Sequence, residues 1–320
     1  MNLTIQIVGW NSEGSLKRLL PLLQKLDAAI PVRYIDNASS DDSVAVVKQF
    51  LPRADIITVS ENTGFCSGHN IGFAACDTEF VLVLNPDVEI VWEQVQKLLP
   101  LFQDKTIAAV QGKLMRNAVG ILDSTGVVQT ITLNGKERGA GEKDTGQYNQ
   151  PAHVAATTGA CSIYRTSALR RVAHGTYTTA GHSALEVFDK DFFAYKEDVD
   201  LGWRLRNAGF TNQYLPVRVG THPRAMRTIG RAGWGIIPSH IVDRLRNVTT
   251  RWSLRNYVWM IVKNASAKKI FLHEIFIDAR LGVFILLSLV YWPLLSVWLD
   301  IFQKLPLMME KRYEARHYHR

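Results

Sequence analysis

Two short acidic stretches carry side chains of the types and spacing that metal binding and proton transfer require. One is Asn85-Pro-Asp87, directly after the apolar run Phe80-Val-Leu-Val-Leu84, and the other is Glu197-Asp-Val-Asp200. A carboxylate at the end of a buried strand is placed to hold a divalent metal, and one in the first turn of a helix is placed to act as a general base. Each has a structural alternative, since Asp87 could cap the following helix and the second group could form salt bridges with Arg204.

The strand that presents Asp87 is one of several strands that alternate with helices. Its apolar run is typical of a strand covered on both faces, and Pro86 should end it because proline cannot donate to the ladder. The sequence predicts strands at 3–10, 32–36, 55–59 and 80–84 and helices at 14–29, 43–50, 67–76 and 91–102. This alternation predicts an α/β fold with a mostly parallel sheet and flanking helices, whose carboxyl edge collects polar loops.

Two later segments bear on the site. Residues 117–150 are rich in Gly, Asn and Lys and are expected to form a loop or short hairpin that covers a site. Residues 197–209 should form a helix, with Arg204 facing away from its buried stripe. That stripe is predicted to comprise Leu201, Leu205 and Ala208.

The composition is that of a globular protein of 320 residues, with 47% hydrophobic and 21% charged residues. The N-terminus reads as a first strand and lacks the basic region and cleavage site of a signal peptide, so none is expected. Cys66, Cys76 and Cys161 form no CxxC pair, which favours a reducing compartment and argues against a structural zinc site.

The net charge of +8 is unevenly distributed along the chain. Residues 1–202 carry a net charge of −5, whereas residues 203–269 carry 13 Lys and Arg against one acid. We call residues 203–269 the basic block; such a block attracts polyanions, which include nucleic acid, diphosphates and an anionic membrane surface. No DNA- or RNA-binding motif accompanies it, so nucleic acid is not expected as a partner.

The C-terminal region is predicted to be helical, with a basic, aromatic helix at 240–263 and an uncharged apolar stretch at 281–299. A bilayer span needs about 20 apolar residues, and Pro293 would kink this stretch. Three interpretations stay open: an apolar helix pair at the membrane interface, a buried core or oligomer helix, or a true span. The preceding basic block favours contact with a membrane.

The phosphate-binding fingerprints of other α/β proteins are missing. No GxGxxG follows a strand and no GxxxxGK[ST] occurs, so neither ordinary dinucleotide binding nor a P-loop is expected. A nucleotidyltransferase should have a glycine-rich basic loop after its first strand, whereas residues 9–14 contain an acid and no base.

Four motifs follow one another in a specific order and spacing. They are Ile35-Asp-Asn-Ala-Ser-Ser-Asp-Asp-Ser43, Glu61-Asn-Thr-Gly-Phe-Cys-Ser-Gly-His-Asn70, Leu84-Asn-Pro-Asp87 and Glu197-Asp-Val-Asp-Leu-Gly-Trp-Arg204. Together they resemble the family-two glycosyltransferases of GT-A fold, and within them the bacterial rhamnosyltransferase-like branch. The resemblance covers about residues 1–225 and continues loosely into Ser253-Leu-Arg-Asn256.

The resemblance implies a nucleotide-sugar site. Asp36 corresponds to the acid that hydrogen-bonds a pyrimidine base, although it could instead be an Asx-turn acid at a strand end. Asn62, Gly64, Gly68 and Asn70 would lie beside the nucleotide and its phosphates, where glycine permits close backbone approach and a helix N-terminus favours anions. Turn and packing chemistry is the alternative for these residues.

The resemblance also implies a metal site. Asn85-Pro-Asp87 stands where the family often has Asp-x-Asp, so Asn85 would contact the donor and Asp87 alone would hold Mg²⁺ or Mn²⁺ directly. His222 lies where related enzymes often carry a histidine that contacts metal or phosphate. Alternatively His222 is an ordinary loop residue, and Arg224 and Arg227 meet the diphosphate.

The family's catalytic base corresponds to Asp198. Inverting transfer is a single displacement, in which a base takes the proton of the acceptor hydroxyl as its oxygen attacks the anomeric carbon. Glu197 is the second candidate, whereas Asp200 is expected to serve the helix or a partner arginine. Trp10 and Trp203 could line the sugar site or pack in the fold, and packing is the better interpretation for Trp203.

These correspondences imply an inverting, metal-dependent glycosyltransferase peripheral to the cytoplasmic face of a bacterial membrane. The expected donor is dTDP-L-rhamnose, or another dTDP- or UDP-hexose, and the expected acceptor is a cell-surface glycan intermediate on a polyprenyl-diphosphate lipid. Asn85 in place of a carboxylate leaves open a non-catalytic nucleotide-sugar- or glycan-binding protein. The predicted domains are a catalytic domain at 1–228, with a nucleotide-sugar half at 1–115 and an acceptor half at 116–228, and a membrane-associating helical region at 229–320.

Overall fold

One large sheet organises the fold. A computed structural model describes residues 2–27, 29–116, 119–223 and 247–316. The strands are β1 (Leu3–Gly9), β2 (Val32–Asp36), β3 (Asp55–Thr58), β4 (Phe80–Leu84), β5 (Glu89–Ile90), β6 (Ile107–Met115), β7 (Leu122–Ser124), β8 (Val127–Gln129), β9 (Gly135–Glu137), β10 (Ala152–Val154), β11 (Cys161–Arg165), β12 (Thr176–Thr179), β13 (His182–Leu185) and β14 (Thr211–Thr221). The helices are α1 (Glu13–Leu23), α2 (Ser43–Phe50), α3 (Gly64–Ala74), α4 (Trp92–Gln96), α5 (Thr166–Val172), α6 (Glu197–Asn207), α7 (Val248–Asn264), α8 (Ala267–Val290), α9 (Leu294–Gln303) and α10 (Leu305–Arg316).

The strand order along the sheet is β10-β14-β6-β11-β4-β1-β2-β3. Strand β1 pairs in parallel with β2 and β4, β2 with β3, and β6 with β14, whereas β11 runs antiparallel to both β4 and β6. Because β11 alone reverses between β4 and β6, the carboxyl ends of β1, β2, β3, β4 and β14 lie on one edge. The prediction of a mixed α/β fold with a mostly parallel central sheet is confirmed.

The sheet is covered on both faces, as the apolar run of β4 predicts. Val81 and Val83 pack in one core, and Leu82 and Leu84 pack in another, because successive residues of a strand point to opposite faces. One core includes apolar residues of α1 and α2, and the other includes those of α5, α6 and α7. Burial on both faces holds the end of β4 in place and so fixes the position of the turn that follows it.

Two predicted segments differ in the structure. The helix expected at 91–102 is interrupted, because α4 ends at Gln96 and a separate 3-10 turn containing Pro100 follows; proline has no N–H with which to continue a helix. Residues 117–150 were expected to form a loop or a short hairpin, and they contain the antiparallel hairpin of β8 and β9. Strand β7 from the same segment adds to the main sheet beside β6.

The apolar stretch at 281–299 is divided between two helices. Helix α8 ends at Val290 and Pro293 caps the start of α9. Over the described ranges, no helix is long and apolar enough to pass through a membrane. The predicted helix at 240–263 corresponds to α7, and its expected start at 240 and the domain boundary at 228 lie outside the described residues.

The C-terminal helices pack against the sheet-containing part of the chain. Trp259 and Met260 of α7 and Met308 of α10 belong to the same buried core as Phe188 and Trp203. This packing brings the C-terminal region close to the segment that leads into α6, which carries the candidate base.

Candidate active site

Five predicted site residues lie at the carboxyl edge of the sheet. Asp36 ends β2, Asn62 lies between β3 and α3, Asn85 and Asp87 follow β4, and His222 follows β14. Strand β5 pairs antiparallel with the end of β14, which brings the turn after β4 beside His222. The structure therefore gathers at one edge residues that are far apart in the sequence.

Asp87 and His222 form a pair with a second carboxylate behind the imidazole. His222 Nε2 lies 3.3 Å from Asp87 Oδ1, and its Nδ1 lies 2.8 Å from Asp123 Oδ2. Burial opposes a charged imidazole, yet the hydrogen bonds to Asp123 and Asp87 raise the pKa of His222 to about 9. A carboxylate behind a histidine fixes its tautomer and orientation, as around many metal ions. One carboxylate oxygen and one imidazole nitrogen at this distance fit two ligands of a divalent cation.

Sequence reasoning missed Asp123. It is fully buried in β7 and also lies 3.4 Å from the Arg116 guanidinium. Its position depends on the pairing of β7 with the end of β6, and the segment 117–150 was expected to be a loop or hairpin. No motif distinguishes this aspartate from the other acids of that segment.

Asp36 is buried at the end of β2, and both of its carboxylate oxygens accept hydrogen bonds. Oδ1 accepts from the Tyr34 hydroxyl at 3.2 Å, and Oδ2 accepts from the backbone N–H of Ser39 at 3.0 Å. The second contact is a local side-chain-to-backbone bond of the kind found in turns. These bonds fix the carboxylate at the edge, and its contact with a nucleotide base stays a prediction.

Asn62 joins the loops that follow β2 and β3. Its Oδ1 accepts hydrogen bonds from Asn37 Nδ2 at 3.0 Å and from the N–H of Gly64 at 2.9 Å. Asn37 Oδ1 in turn accepts from the N–H and the hydroxyl of Thr63 at 3.0 and 2.9 Å. These hydrogen bonds tie the predicted donor-binding loop to the loop that follows β2.

Gly64 and Gly68 occupy positions that leave no room for a side chain. Gly64 has a φ of +81°, and a Cβ there would lie 2.5 Å from the ring of Phe193. A Cβ on Gly68 would lie 2.7 Å from Val8. Gly68 thus lets α3 approach β1 closely, and Gly64 packs the predicted donor-binding loop against the segment that precedes Asp198.

Asn70 is fully buried in α3, and four hydrogen bonds to protein atoms saturate its amide. Nδ2 donates to the carbonyl of Phe188 at 2.7 Å and to the Tyr177 hydroxyl at 3.1 Å. Oδ1 accepts from the N–H groups of Val187 and Phe188 at 3.1 and 2.9 Å. These contacts favour a positioning role for Asn70, in which it holds the 187–188 segment against α3.

Asp198 lies in the first turn of α6, which begins where the sequence predicts. Its Oδ1 accepts from the N–H of Val199 at 2.8 Å, and its Oδ2 accepts from the N–H of Gly159 at 3.2 Å. The next residue, Ala160, accepts a hydrogen bond from the N–H of Asn85 at 2.8 Å. The 159–160 segment therefore places the candidate base near the turn that carries Asp87.

Glu197 differs from Asp198 in its surroundings. It is buried, and its Oε2 has no hydrogen-bond partner in the described part of the chain. Burial, and then the negative charge of Asp198, raise the pKa of Glu197 to about 8. Adjacent acids in environments of this kind take different roles. Because the pKa of Glu197 is raised, its carboxyl is less suited to accept a proton at neutral pH, which favours Asp198 as the predicted base.

The segment before α6 is strained. Phe193, Tyr195 and Lys196 have φ values of 64°, 72° and 71°, and such conformations cost non-glycine residues about 1–3 kcal/mol each. Three such residues within four positions persist only where the surroundings fix them. Because this segment leads into the first turn of α6, which carries Asp198, the strain falls where orientation matters for a base.

Asn256 of α7 holds the strained segment in place through side-chain contacts with its backbone. Its Nδ2 lies 3.0, 3.0 and 2.8 Å from the carbonyl oxygens of Phe192, Ala194 and Tyr195. Arg255 adds a hydrogen bond to the carbonyl of Phe192 at 3.3 Å. Asn256 was not assigned a role from the sequence. The available signal was the loose continuation of the family resemblance into Ser253-Leu-Arg-Asn256.

A second acidic cluster carries its own counter-charges. Glu186, Asp189 and Asp191 each place a carboxylate oxygen within 4.8 Å of the others, a spacing that would suit a metal. Lys311 Nζ lies 2.6, 2.7 and 2.9 Å from these three residues, and Lys263 Nζ lies 2.5 Å from Asp189. The ammonium groups supply the positive charge that a metal would bring, so this cluster fastens α7 and α10 to the fold.

Asp200 and Arg204 belong to the same buried network. Arg204 Nε donates to Asp200 Oδ2 at 2.9 Å, and its Nη1 donates to the carbonyl of Val172 at 2.6 Å. The expected pairing of Asp200 with an arginine is confirmed. The expectation that Arg204 faces away from the buried side of α6 is wrong, because these partners satisfy its guanidinium inside the protein.

Four further residues were considered for the site. Trp203 is buried in the core, as the packing interpretation predicts, whereas Trp10 is 55% exposed beyond the end of β1. Arg224 and Arg227 lie outside the described residues.

The fold and this edge define an α/β protein with a candidate metal-binding pair and a helix-borne candidate base. The model of the family described as Glycosyl transferase family 2 matches residues 4–173. The chain belongs to this family.

Two curated relatives are similar over much of the chain. A pre-mycofactocin glycosyltransferase of Mycobacterium tuberculosis is 27% identical over 230 residues, which are 69% of this chain and 42% of the relative. The chain thus spans less than half the length of that relative. An N-acetylglucosaminyl-diphospho-decaprenol L-rhamnosyltransferase of the same species is 26% identical over 287 residues, 79% of this chain and 89% of the relative.

Solved structures share the fold at low sequence identity. GalNAc-T7 with UDP, GalNAc and Mn²⁺ has a TM-score of 0.56 and 14% identity, and covers 82% of this chain and 48% of its own. S. aureus TarS 1–349 in complex with UDP-GlcNAc has a TM-score of 0.52 and 17% identity, and covers 100% of this chain and 89% of its own.

Proposed function

We propose that this protein is an inverting glycosyltransferase that uses a nucleotide-diphosphate sugar as donor. The observation that carries the proposal is the placement of Asp198. It lies at the start of a rigid helix, beside a Glu197 whose pKa is raised to about 8, and the backbone from Gly159 to Asn85 links it to the sheet edge. One carboxylate is enough for inversion, because no covalent intermediate forms.

The proposed reaction involves two groups of residues. Asp198 accepts the proton of the acceptor hydroxyl while that oxygen bonds to the anomeric carbon and the bond to the nucleotide diphosphate breaks. Asp87 and His222 would hold a divalent metal, which when bound offsets the charge that grows on the leaving diphosphate. Asp123 would hold the His222 ring in orientation for that role, and Mg²⁺ or Mn²⁺ is the proposed ion.

For the donor we propose dTDP-L-rhamnose, with another dTDP- or UDP-hexose as the alternative. The motifs of the rhamnosyltransferase-like branch support it, and so does the similarity to a relative named as an L-rhamnosyltransferase. That relative's name includes a diphospho-decaprenol, and for this chain we propose a lipid-linked glycan acceptor. Asp36 at the end of β2 would hydrogen-bond the pyrimidine base.

We also propose that the protein binds the cytoplasmic face of an anionic membrane peripherally. The basic block, apart from Arg204 and Lys263, which are buried and paired with Asp200, would supply charge complementarity to anionic lipid. Helices α8 and α9 and the turn between them carry exposed apolar side chains that suit an interface. We call these side chains the apolar surface; it comprises Phe271, Ile275, Leu286, Leu289, Trp292 and Leu299.

The membrane proposal is tested by vesicle flotation. Leu289 and Trp292 are 77% and 76% exposed, so changing both to serine should leave the core intact. With anionic vesicles we expect binding to weaken by about tenfold or more, since each buried apolar side chain contributes about 1.5–3 kcal/mol. A double variant that floats as well as the wild type would remove the apolar surface from this role.

The transfer proposal is tested by turnover of purified protein. The assay supplies dTDP-, UDP- and GDP-sugars with Mg²⁺ or Mn²⁺, a membrane lipid extract and a chelator control. Asp198→Asn should bind donor normally and lose turnover by about 10²–10⁴-fold, because an amide cannot accept the proton.

Glu197→Gln is the contrast variant for the base. If turnover falls in Glu197→Gln and not in Asp198→Asn, the role of base moves to Glu197. A wild-type protein that binds donor without turnover under any condition would favour the non-catalytic binding protein that Asn85 leaves open.

A further inference from the structure

A cavity of about 140 Å³ lies between the first turns of α7 and one side of α9. A water molecule takes up about 30 Å³ of liquid, so the cavity has room for a group as large as a tetrahedral phosphate. It lies outside the edge site described above. Its lining includes Arg251, Trp252, Arg255, Ser296, Val297 and Asp300.

Two arginines line the cavity, and one of their N–H donors has no hydrogen-bond partner among the described residues. Arg255 is held by the carbonyl of Asp191 at 3.1 Å and by Asp300 at 3.6 Å. Arg251 Nε is buried and has no hydrogen-bond partner among the described residues. A buried N–H of this kind is costly unless an acceptor reaches it, and guanidinium groups bind phosphate oxygens well. The cavity is therefore chemically suited to an anion.

Helix α9 connects this cavity to the apolar surface. Val297 and Asp300 line the cavity on one side of the helix. On the other side, Leu299 of the apolar surface is 60% exposed, and the nearby Leu295 is 51% exposed. A ligand that meets both sides must combine an anionic group with an apolar chain.

One lining residue, Trp252, contacts the segment that precedes the candidate base. The ring of Trp252 lies 4.7 Å from that of Phe193. The Phe193 carbonyl accepts a hydrogen bond from the backbone N–H of Cys66 at 3.1 Å. Phe193 also packs against Gly64 of the donor-binding loop and precedes Asp198 by one strained turn. A phosphate in the cavity would thus hold its attached sugar on the side of the protein where Asp198 lies.

We propose that the cavity between α7 and α9 binds the diphosphate of the membrane-borne acceptor lipid. The inference rests on the proposed transfer to a lipid-linked acceptor and assigns it a binding site. The Arg251 guanidinium contacts the phosphate oxygens, the apolar surface contacts the polyprenyl chain, and the attached sugar points toward Asp198.

The test compares Arg251→Gln with a control that has the same charge change, Arg53→Gln, in the exposed loop before β3. The probes are phosphatidylcholine vesicles that carry a polyprenyl diphosphate, vesicles that carry phosphatidylglycerol at the same surface charge, and phosphatidylcholine alone. We expect wild type and Arg53→Gln to bind the diphosphate vesicles about tenfold more tightly than the phosphatidylglycerol vesicles. Arg251→Gln should lose that preference, and Arg251→Lys should recover part of it.

Three results would overturn the inference: an unchanged preference in Arg251→Gln, an equal loss in Arg53→Gln, or equal wild-type binding to both anionic vesicles. The last would mean that any anionic headgroup suffices. Titration of each variant with nucleotide sugar separates this failure from failure of the proposed function. A wild type that binds no nucleotide sugar contradicts the transferase itself, whereas normal donor binding in Arg251→Gln shows that the donor site is intact.

Discussion

The two acidic clusters of this protein contain similar groups and surround them differently. At the sheet edge, the nearest described charge to Asp87 is the imidazole of His222, at 3.3 Å. In the second cluster, Lys263 and Lys311 lie 2.5 and 2.7 Å from Asp189. By the spacing of carboxylates alone, the second cluster is the better metal site. Its lysines make it a structural network instead.

The difference shows that counter-charge decides what a carboxylate cluster does. Burial would raise the pKa of Asp189, but Lys263 and Lys311 bring it well below its ordinary range. Asp189 is therefore ionised and already paired. At the edge, no lysine or arginine among the described residues pairs with Asp87, and His222 would give up its proton if the proposed metal bound there.

The largest expected loss of free energy of unfolding comes from removing a lysine of the second cluster. Lys263→Met leaves Asp189 and Asp200 charged and buried with fewer partners, and breaking a buried pair in this way costs about 3–5 kcal/mol. We expect the free energy of unfolding in urea to fall by that amount. Lys48→Met, at an exposed position, is the control and should change it little. Equal stability of the two variants would mean that the network does not hold α7 in place.

The reciprocal change is Asp87→Asn at the edge. It removes the only carboxylate of the Asn85-Pro-Asp87 turn, and a metal ion supplies several kcal/mol of transition-state stabilisation, so turnover should fall by about 10²–10³-fold. The free energy of unfolding should change far less than in Lys263→Met. Turnover with and without chelator is the measurement, and a variant that keeps its full metal response would show that Asp87 is not a ligand.

The sheet and its edge were predictable because their signals are local. The bounds of β2 and β4 match the prediction, since an apolar run and a following turn residue define each strand without help from distant contacts. Pro86 ends β4 and so places Asp87 at the edge. The same local logic predicted the start of α6 at Glu197.

The groups that complete the site depend on distant pairings and were not predictable. Asp123 reaches His222 across 99 residues, and Asn256 reaches the carbonyl of Phe192 across 64. The basic block was interpreted as a surface for polyanions, yet Lys263 of that block is buried among acids of the first 202 residues. Net charge along a sequence does not show which charges pair inside the fold.

A third kind of buried acid, one without a paired cation among the described residues, contributes to stability in a way that depends on pH. Unlike Asp189, Glu197 forms no ion pair among the described residues, and its pKa rises from an ordinary 4.5 to about 8. Between these values the folded protein holds a proton that the unfolded chain has lost, so this group's contribution to stability decreases as pH rises from about 5 to 8. Its slope should approach about 1.4 kcal/mol per pH unit. Urea unfolding of wild type and Glu197→Gln across this range measures it, because glutamine does not titrate. Parallel curves for the two proteins would contradict the raised pKa.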